Sequence, residues 1–238
     1  MPDQPTRKPL SISRILLVTI LVFLTVAVFS TSQTSVAAPR CPGATEPVQL
    51  TVTPFFGKII YRMGNTRGDL KRIRDRHAGR NLPSQWYPLG LTQAQFEIRL
   101  NTNVTIQPLR TQRYCAFPHA LEVNIGYPSF TIWIDRRYRR GTCEYQAILD
   151  HEHDHIRIYR EQLRLHIDQF HLDIARILRR LRPATISSPN LAANQVQARL
   201  TQRIRPLVRK LEKITDSANA AIDTITSYQA IHDLCRNW

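Results

Sequence analysis

Residues 143–181 contain neither glycine nor proline. A stretch of that length built largely from Leu, Ile, Arg, Gln, Glu and His favours one uninterrupted helix, because most of these side chains lose little freedom there. Tyr159, Leu163, His166, Phe170, Ile174, Ile177 and Leu181 recur at steps of three and four, which gives that helix one apolar face. Pro183 stops it, and residues 187–190 read as a turn with Asn190 as the next N-cap. Beyond the turn, Leu200, Ile204, Leu207, Leu211, Ile214, Ala218, Ala221, Ile225 and Tyr228 follow at alternating steps of four and three. This is a heptad seam, bent by Pro206. Two long helices joined by a short polar turn are expected to fold back as an antiparallel hairpin.

Upstream the pattern changes. Phe96, Ile98 and Leu100 alternate with polar residues, and Val104 and Ile106 follow beyond a turn. The same period returns at Leu121, Val123 and Ile125, and again at Phe130, Ile132 and Ile134, so these runs read as strands. Gly126-Tyr127-Pro128-Ser129 reads as a hairpin connection between the last two. Residues 69–78 are expected to form a short helix ending at Gly79. The expected fold is therefore α+β: a small, mainly antiparallel sheet within residues 41–140, followed by a long antiparallel helical hairpin within residues 143–235.

Residues 1–38 stand apart from this domain. Arg7, Lys8 and Arg14 flank or precede a 15-residue run, 15–29, that is apolar except for threonines, and Ser35-Val36-Ala37 offers small residues to a peptidase. That is the build of a secretory signal, with the cut expected after Ala37, because a cut after Ala38 would be followed directly by Pro39. An uncleaved membrane anchor is the alternative, although the run is shorter than a bilayer span requires. The remaining residues, 39–238, are expected to form a single secreted or periplasmic domain. Its four cysteines, Cys41, Cys115, Cys143 and Cys235, point to two disulfides in an exported chain. Cys115–Cys143 would brace the entry to the long helix and Cys41–Cys235 would tie the ends, and this pairing is preferred. No pair has the CxxC spacing of a thiolate zinc site. The formal charge of +15 falls to about +13 without the signal. Such a field draws a chain to anionic cell-envelope surfaces. Arg136-Arg137-Tyr138-Arg139-Arg140 lacks the interleaved aromatics of a single-strand platform, so no specific nucleic-acid partner is expected.

The chemistry concentrates in His151-Glu152-His153-Asp154-His155. On a helix, His151 and His155 share one face about 6 Å apart along the axis, so both can reach one ion. Glu152 lies about 100° round the helix. In zinc hydrolases of this spacing it does not ligate but takes a proton from the activated water and later returns one to the leaving group. His153 falls on roughly the opposite face and is not expected to ligate.

The third ligand must come from elsewhere. Ile158 and Glu161 occupy the positions where a metzincin-type motif has glycine and histidine, and a continuing helix turns Glu161 about 120° away from His155. Counting back along an antiparallel partner from the turn reaches Asn219, with Asp216, Asp223 and Tyr228 inside the window of about a turn or two. Asp223 is the favoured carboxylate. Tyr228 and then His232, one turn further on, stand in reserve, and His119 could approach from the sheet. His166 is expected to be packed, and His77 and His171 to lie on the surface.

These same residues carry a resemblance. Cys143-Glu144-Tyr145-Gln146-Ala147-Ile148-Leu149-Asp150 running into HEHDH resembles the uncharacterised bacterial family of predicted secreted zinc-dependent proteases, of the HExxH zincin-like type. The family's downstream pattern is roughly Asn-x-x-Tyr-Asp-x-x-Thr-x-His-Gly. Asn219, Asp223 and Thr226 match it, whereas Ile222, Tyr228 and Gln229 stand where the family has tyrosine, histidine and glycine. The resemblance spans residues 48–235, with its specificity in the two motif regions. It implies Zn2+ as cofactor and an exported metallopeptidase in which Glu152 is the general base and a peptide or protein is the substrate. If the family's histidine is a ligand, Tyr228 would have to replace it as a phenolate; if Asp223 is the ligand, the departure is harmless. The competing reading is a non-catalytic exported metal-binding or envelope-associated basic protein.

Overall fold

The structure is a computed structural model describing residues 41–42, 46–77, 87–109 and 112–238. The expected signal over residues 1–38 lies outside them, as do Ala78 and Gly79. A single 23-residue strand, β4 (Arg113–Asp135), is the spine of the sheet. Leu121, Val123, Ile125 and Tyr127 send alternate side chains into the core, and then the buried positions change parity to Phe130, Ile132 and Ile134. That change makes one strand look like two in sequence.

The hairpin expected at residues 126–129 is absent. β4 runs through it, and β1 (Gln49–Asn65) pairs with β4 in parallel across the same stretch, with Phe55 opposite Gly126 and Phe56 opposite Tyr127. Glycine here serves a close approach of two backbones, not a turn. A Cβ on Gly126 would strike the Phe55 carbonyl, and one on Gly57 would strike the Pro128 carbonyl. β3 (Glu97–Leu109) and β2 (Gly90–Ala94) run antiparallel to β4 along its other edge. β5 (Ala184–Ile186) pairs antiparallel with residues 114–116, beyond the end of β1. The fold is thus mixed α and β, with a five-stranded, mostly antiparallel sheet whose parallel member is β1.

Four α-helices accompany the sheet among the described residues. α1 (Arg67–His77) begins with a capping box in which the Asp69 N–H donates to the Thr66 hydroxyl and the Thr66 N–H donates to the Asp69 carboxylate. α2 (Cys143–Arg179) is one 37-residue helix, capped by the Thr142 hydroxyl, which accepts from the Tyr145 N–H. Its buried stripe of Ile148, Ile156, Leu163, Phe170, Ile174 and Leu178 packs on the sheet and on α3 (Ala192–Ala220). α3 answers with Val196, Leu200, Ile204 and Leu211. The link between these helices holds β5 and a 3₁₀ turn, Pro189–Leu191, with Ser188 as the N-cap. Asn190 therefore sits inside that turn and caps nothing.

The heptad seam does not reach Tyr228 as one helix. α3 ends at Ala220 and α4 (Ile225–Asp233) starts afresh. Thr224 causes the break: its hydroxyl accepts from the Ser227 N–H, while the Ser227 hydroxyl accepts from the Thr224 N–H. Ala221 and Ile225, counted in the seam, face solvent.

The disulfides are Cys41–Cys115 and Cys143–Cys235, so the preferred pairing was wrong. The length of β4 explains why. At about 3.3 Å per residue it carries the chain roughly 70 Å, so Cys115 at its start and Cys143 beyond its end stay far apart. Cys115 lies opposite Thr185 of β5, whose Oγ1 is 3.5 Å from Cys41 Sγ. Cys143 Sγ is 3.4 Å from the Leu234 carbonyl, where the chain after α4 returns to the start of α2. Two disulfides mark a chain that folds outside the reducing cytosol. Among the described residues no helix is long and apolar enough to cross a membrane.

Candidate metal centre

His151 and His155 lie about two and three turns into α2, where nothing interrupts the helix. Their one-turn spacing brings the ring centres to 4.8 Å. Asp223 comes from the break between α3 and α4. Its Oδ1 is 3.2 Å from His151 Nε2 and 3.3 Å from His155 Nε2. The three donor atoms lie within 4.8 Å of one another. Both histidines are buried, and Asp223 is half-buried.

A row of polar contacts holds this cluster. Asn219, at the end of α3, donates its amide to the Thr215 carbonyl at 3.0 Å, which leaves Oδ1 as an acceptor. That oxygen is 3.0 Å from His155 Nδ1, so Nδ1 carries the hydrogen and Nε2 faces Asp223. The Tyr228 hydroxyl donates to Asp223 Oδ1 at 3.1 Å, and its ring lies 5.3 Å from that of His151.

Glu152 is 3 % exposed. Its carboxylate passes against Gly90 of β2, where a Cβ would come within 2.5 Å of Glu152 Oε1 and 2.9 Å of its Cγ. The Thr92 hydroxyl donates to the Glu152 main-chain carbonyl at 2.9 Å and ties β2 to α2 at this point. Gly90 and Thr92 were not among the expected site residues. A lone glycine before a short strand carries no local signal of such a role, which only the packing of α2 on β2 creates.

The electrostatics follow from burial and mutual contact. Burial pushes the Glu152 carboxyl up. Burial opposes charge on His155, yet the hydrogen bond that its ring donates to the Asp223 carboxylate and the Glu152 charge outweigh it and raise the imidazole to about 9. Burial would raise Asp223 too, but hydrogen bonds from His151 and His155 hold it well below the usual carboxylate range. Burial, and next the Asp223 and Glu152 charges, push the Tyr228 phenol far up. It therefore stays a neutral donor, not a phenolate.

The other candidates lie elsewhere. His232 stacks on Trp238 at 5.2 Å, Asp216 faces an open surface beside Glu212, and His119 is exposed on β4. His166 Nδ1 donates to the Gln162 carbonyl, and His153 Nε2 meets the Tyr61 hydroxyl at 3.0 Å. Of His77 only the backbone is described.

Two nitrogens and one carboxylate oxygen are the donor types that suit zinc, and each has a supporting contact or a helix to orient it. Glu152 Oε2 adds a second sign. It is buried with no hydrogen-bond partner among the described residues. Such an oxygen is costly unless a cation and a donor stand near it, and a hydrated ion on the three ligands would supply both. The residues present fit the ion. Comparison with known proteins adds no relative: no family model, curated protein or solved structure matches the chain.

Proposed function

We propose that this chain is a zinc-dependent peptidase acting outside the cytosol, with His151, His155 and Asp223 as ligands and Glu152 as general base. The observation that supports it is the meeting of three candidate ligand atoms within 4.8 Å beside a buried carboxylate oxygen that has no hydrogen-bond partner among the described residues. His151, His155 and Asp223 would hold the zinc, which when bound would supply Lewis-acid polarisation of a carbonyl and a water of lowered pKa. Glu152 accepts the proton of the attacking water and passes it to the leaving amine, a task suited to a carboxyl raised by burial. Asn219 fixes the His155 ring, and Tyr228 steadies the Asp223 carboxylate. Among the described strands β2 pairs with β4 alone, so its outer edge, next to Glu152, can receive an extended peptide as an added strand. In this reading α2 and α3 are the antiparallel hairpin that carries the motif, in keeping with the resemblance at HEHDH, Asn219, Asp223 and Thr226.

Replacing Glu152 by Gln tests this. Turnover of an unfolded protein substrate should fall by about 10²–10⁴-fold while zinc content is unchanged. Undiminished turnover would contradict the assignment. One observation favours a second reading, a metal-holding protein without turnover: Glu152 is only 3 % exposed. In that case the wild-type chain holds zinc yet cleaves nothing.

A further inference from the structure

On the β1 side of β4, across the sheet from Gly90, a groove separates β1 from α2. We propose that this groove is a binding site for phosphate groups. It encloses about 380 Å³ and is lined by Ile59, His153, Arg157, Arg160, Glu161 and Arg164, with Ile156 at its base. The cations recur every three or four residues on one face of α2, so they form a ladder along the groove.

Two of the guanidinium groups are prepared for an anion. Arg160 lies over the Phe130 ring at 5.2 Å and Arg164 over the Phe56 ring at 4.9 Å. An aromatic face orients a guanidinium but uses none of its N–H groups, which stay available in the plane as a fork. Neither arginine forms an ion pair among the described residues, whereas Arg157 is paired with Asp154 at 3.0 Å and approaches Glu161 at 3.8 Å. Arg160 Nε is also buried without a hydrogen-bond partner. A charged donor in that condition is expensive, and an oxyanion in the groove would remove the cost.

The charge balance selects phosphate over carboxylate. Two uncompensated guanidiniums one helical turn apart repel each other. A carboxylate neutralises one of them, whereas a phosphate group presents up to two charges and enough oxygens for both forks. His153, which lines the groove, is hydrogen-bonded to the Tyr61 hydroxyl of β1 at 3.0 Å. Since β1 and β2 flank β4 on opposite sides, the phosphate site is separate from the edge proposed for the peptide. It gives the diffuse attraction of a basic chain for anionic surfaces a defined point of attachment.

The test is a titration of the full chain with inorganic phosphate, followed by the arginine Nε–H resonances. Saturable shifts at Arg160 and Arg164 are expected. Arg164→Gln, at an exposed position, should weaken phosphate binding by about tenfold or more with unchanged thermal unfolding. Arg205→Gln, on the exposed surface of α3, should leave it unaltered. A second arm compares vesicles of phosphatidylglycerol with vesicles of phosphatidylcholine. A preference for the anionic vesicles that Arg164→Gln abolishes identifies the phosphate as a lipid headgroup. Phosphate binding without that preference identifies a soluble phosphate compound. The proposal is overturned if phosphate gives no saturable shift at these arginines, or if Arg205→Gln weakens binding as much as Arg164→Gln.

Discussion

Asn219→Ala is the substitution that probes the proposed metal centre without touching a proposed ligand. Asn219 is 7 % exposed and makes two hydrogen bonds of 3.0 Å, one with His155 Nδ1 and one to the Thr215 carbonyl. Losing the first leaves His155 free to rotate and makes its Nε2 a poorer donor. Removal of such a supporting contact costs about 10–100-fold in metal affinity, or roughly 1.4–2.7 kcal/mol. The fold should tolerate the change. The position closes a helix, and alanine is the better helix former by up to about 0.7 kcal/mol, which offsets part of the lost bonding. Stability without metal should therefore fall by about 1–2 kcal/mol, two lost hydrogen bonds of about 1 kcal/mol each less that gain. Zinc affinity would be measured by competition with a chromophoric chelator, beside thermal unfolding of the metal-free protein. Asn219→Asp keeps an acceptor facing Nδ1 and should retain most of the affinity. If Asn219→Ala binds zinc as tightly as the wild type, His155 does not ligate through Nε2 and the ligand set is wrong.

Further outcomes follow from the same geometry. Gly90→Ala places a methyl group within 2.5 Å of Glu152 Oε1 and 2.7 Å of Ile148 Cγ2, so the carboxylate must shift. A displacement of about 1 Å should reduce turnover by roughly 10²-fold with zinc content unchanged, and equal turnover would show that Glu152 need not stand there. The pH dependence of metal affinity should report His155. In the metal-free protein its imidazole is held protonated up to about 9, so zinc must displace a proton below that pH. Affinity should rise by about tenfold per pH unit on approaching 9 and then flatten, as competition titrations at several pH values would reveal. The sign for stability is the reverse. A histidine raised on folding stabilises the metal-free fold fully below its unfolded value of 6.5 and loses that contribution as pH rises through about 9. Melting temperatures of metal-free protein should accordingly decline from pH 6.5 to 9, and a flat profile would contradict the His155–Asp223 pairing.

What the sequence made legible was local and periodic. The absence of glycine and proline from residues 143–181 is enough to infer one helix, and one-turn spacing is enough to set His151 beside His155. Counting along an opposed helix brought Asp223 into view. Its place in a helix break was hidden, because Ala218, Ala220 and Ala221 favour helix and the signal for the break, Thr224 with Ser227, resembles any short polar pair. β4 misled for a physical reason: glycine and proline punctuate turns, but Gly126 and Pro128 sit where two parallel backbones approach closely. The disulfides depended on the length of that strand and failed with it. Nothing in the sequence sets Arg157, Arg160 and Arg164 apart from the other cations of the chain. The pairing of Arg160 with Phe130 and of Arg164 with Phe56, 30 and 108 residues away in sequence, exists only once α2 lies on the sheet.

The central claim is that His151, His155 and Asp223 grip one divalent ion, and metal content tests it most directly. Protein purified with zinc present and dialysed free of excess should retain about one ion per chain; this should persist in Glu152→Gln and vanish in His151→Ala and in Asp223→Ala. Wild-type chain that stays empty after incubation with zinc, or a His151→Ala variant that holds as much as the wild type, would contradict the account.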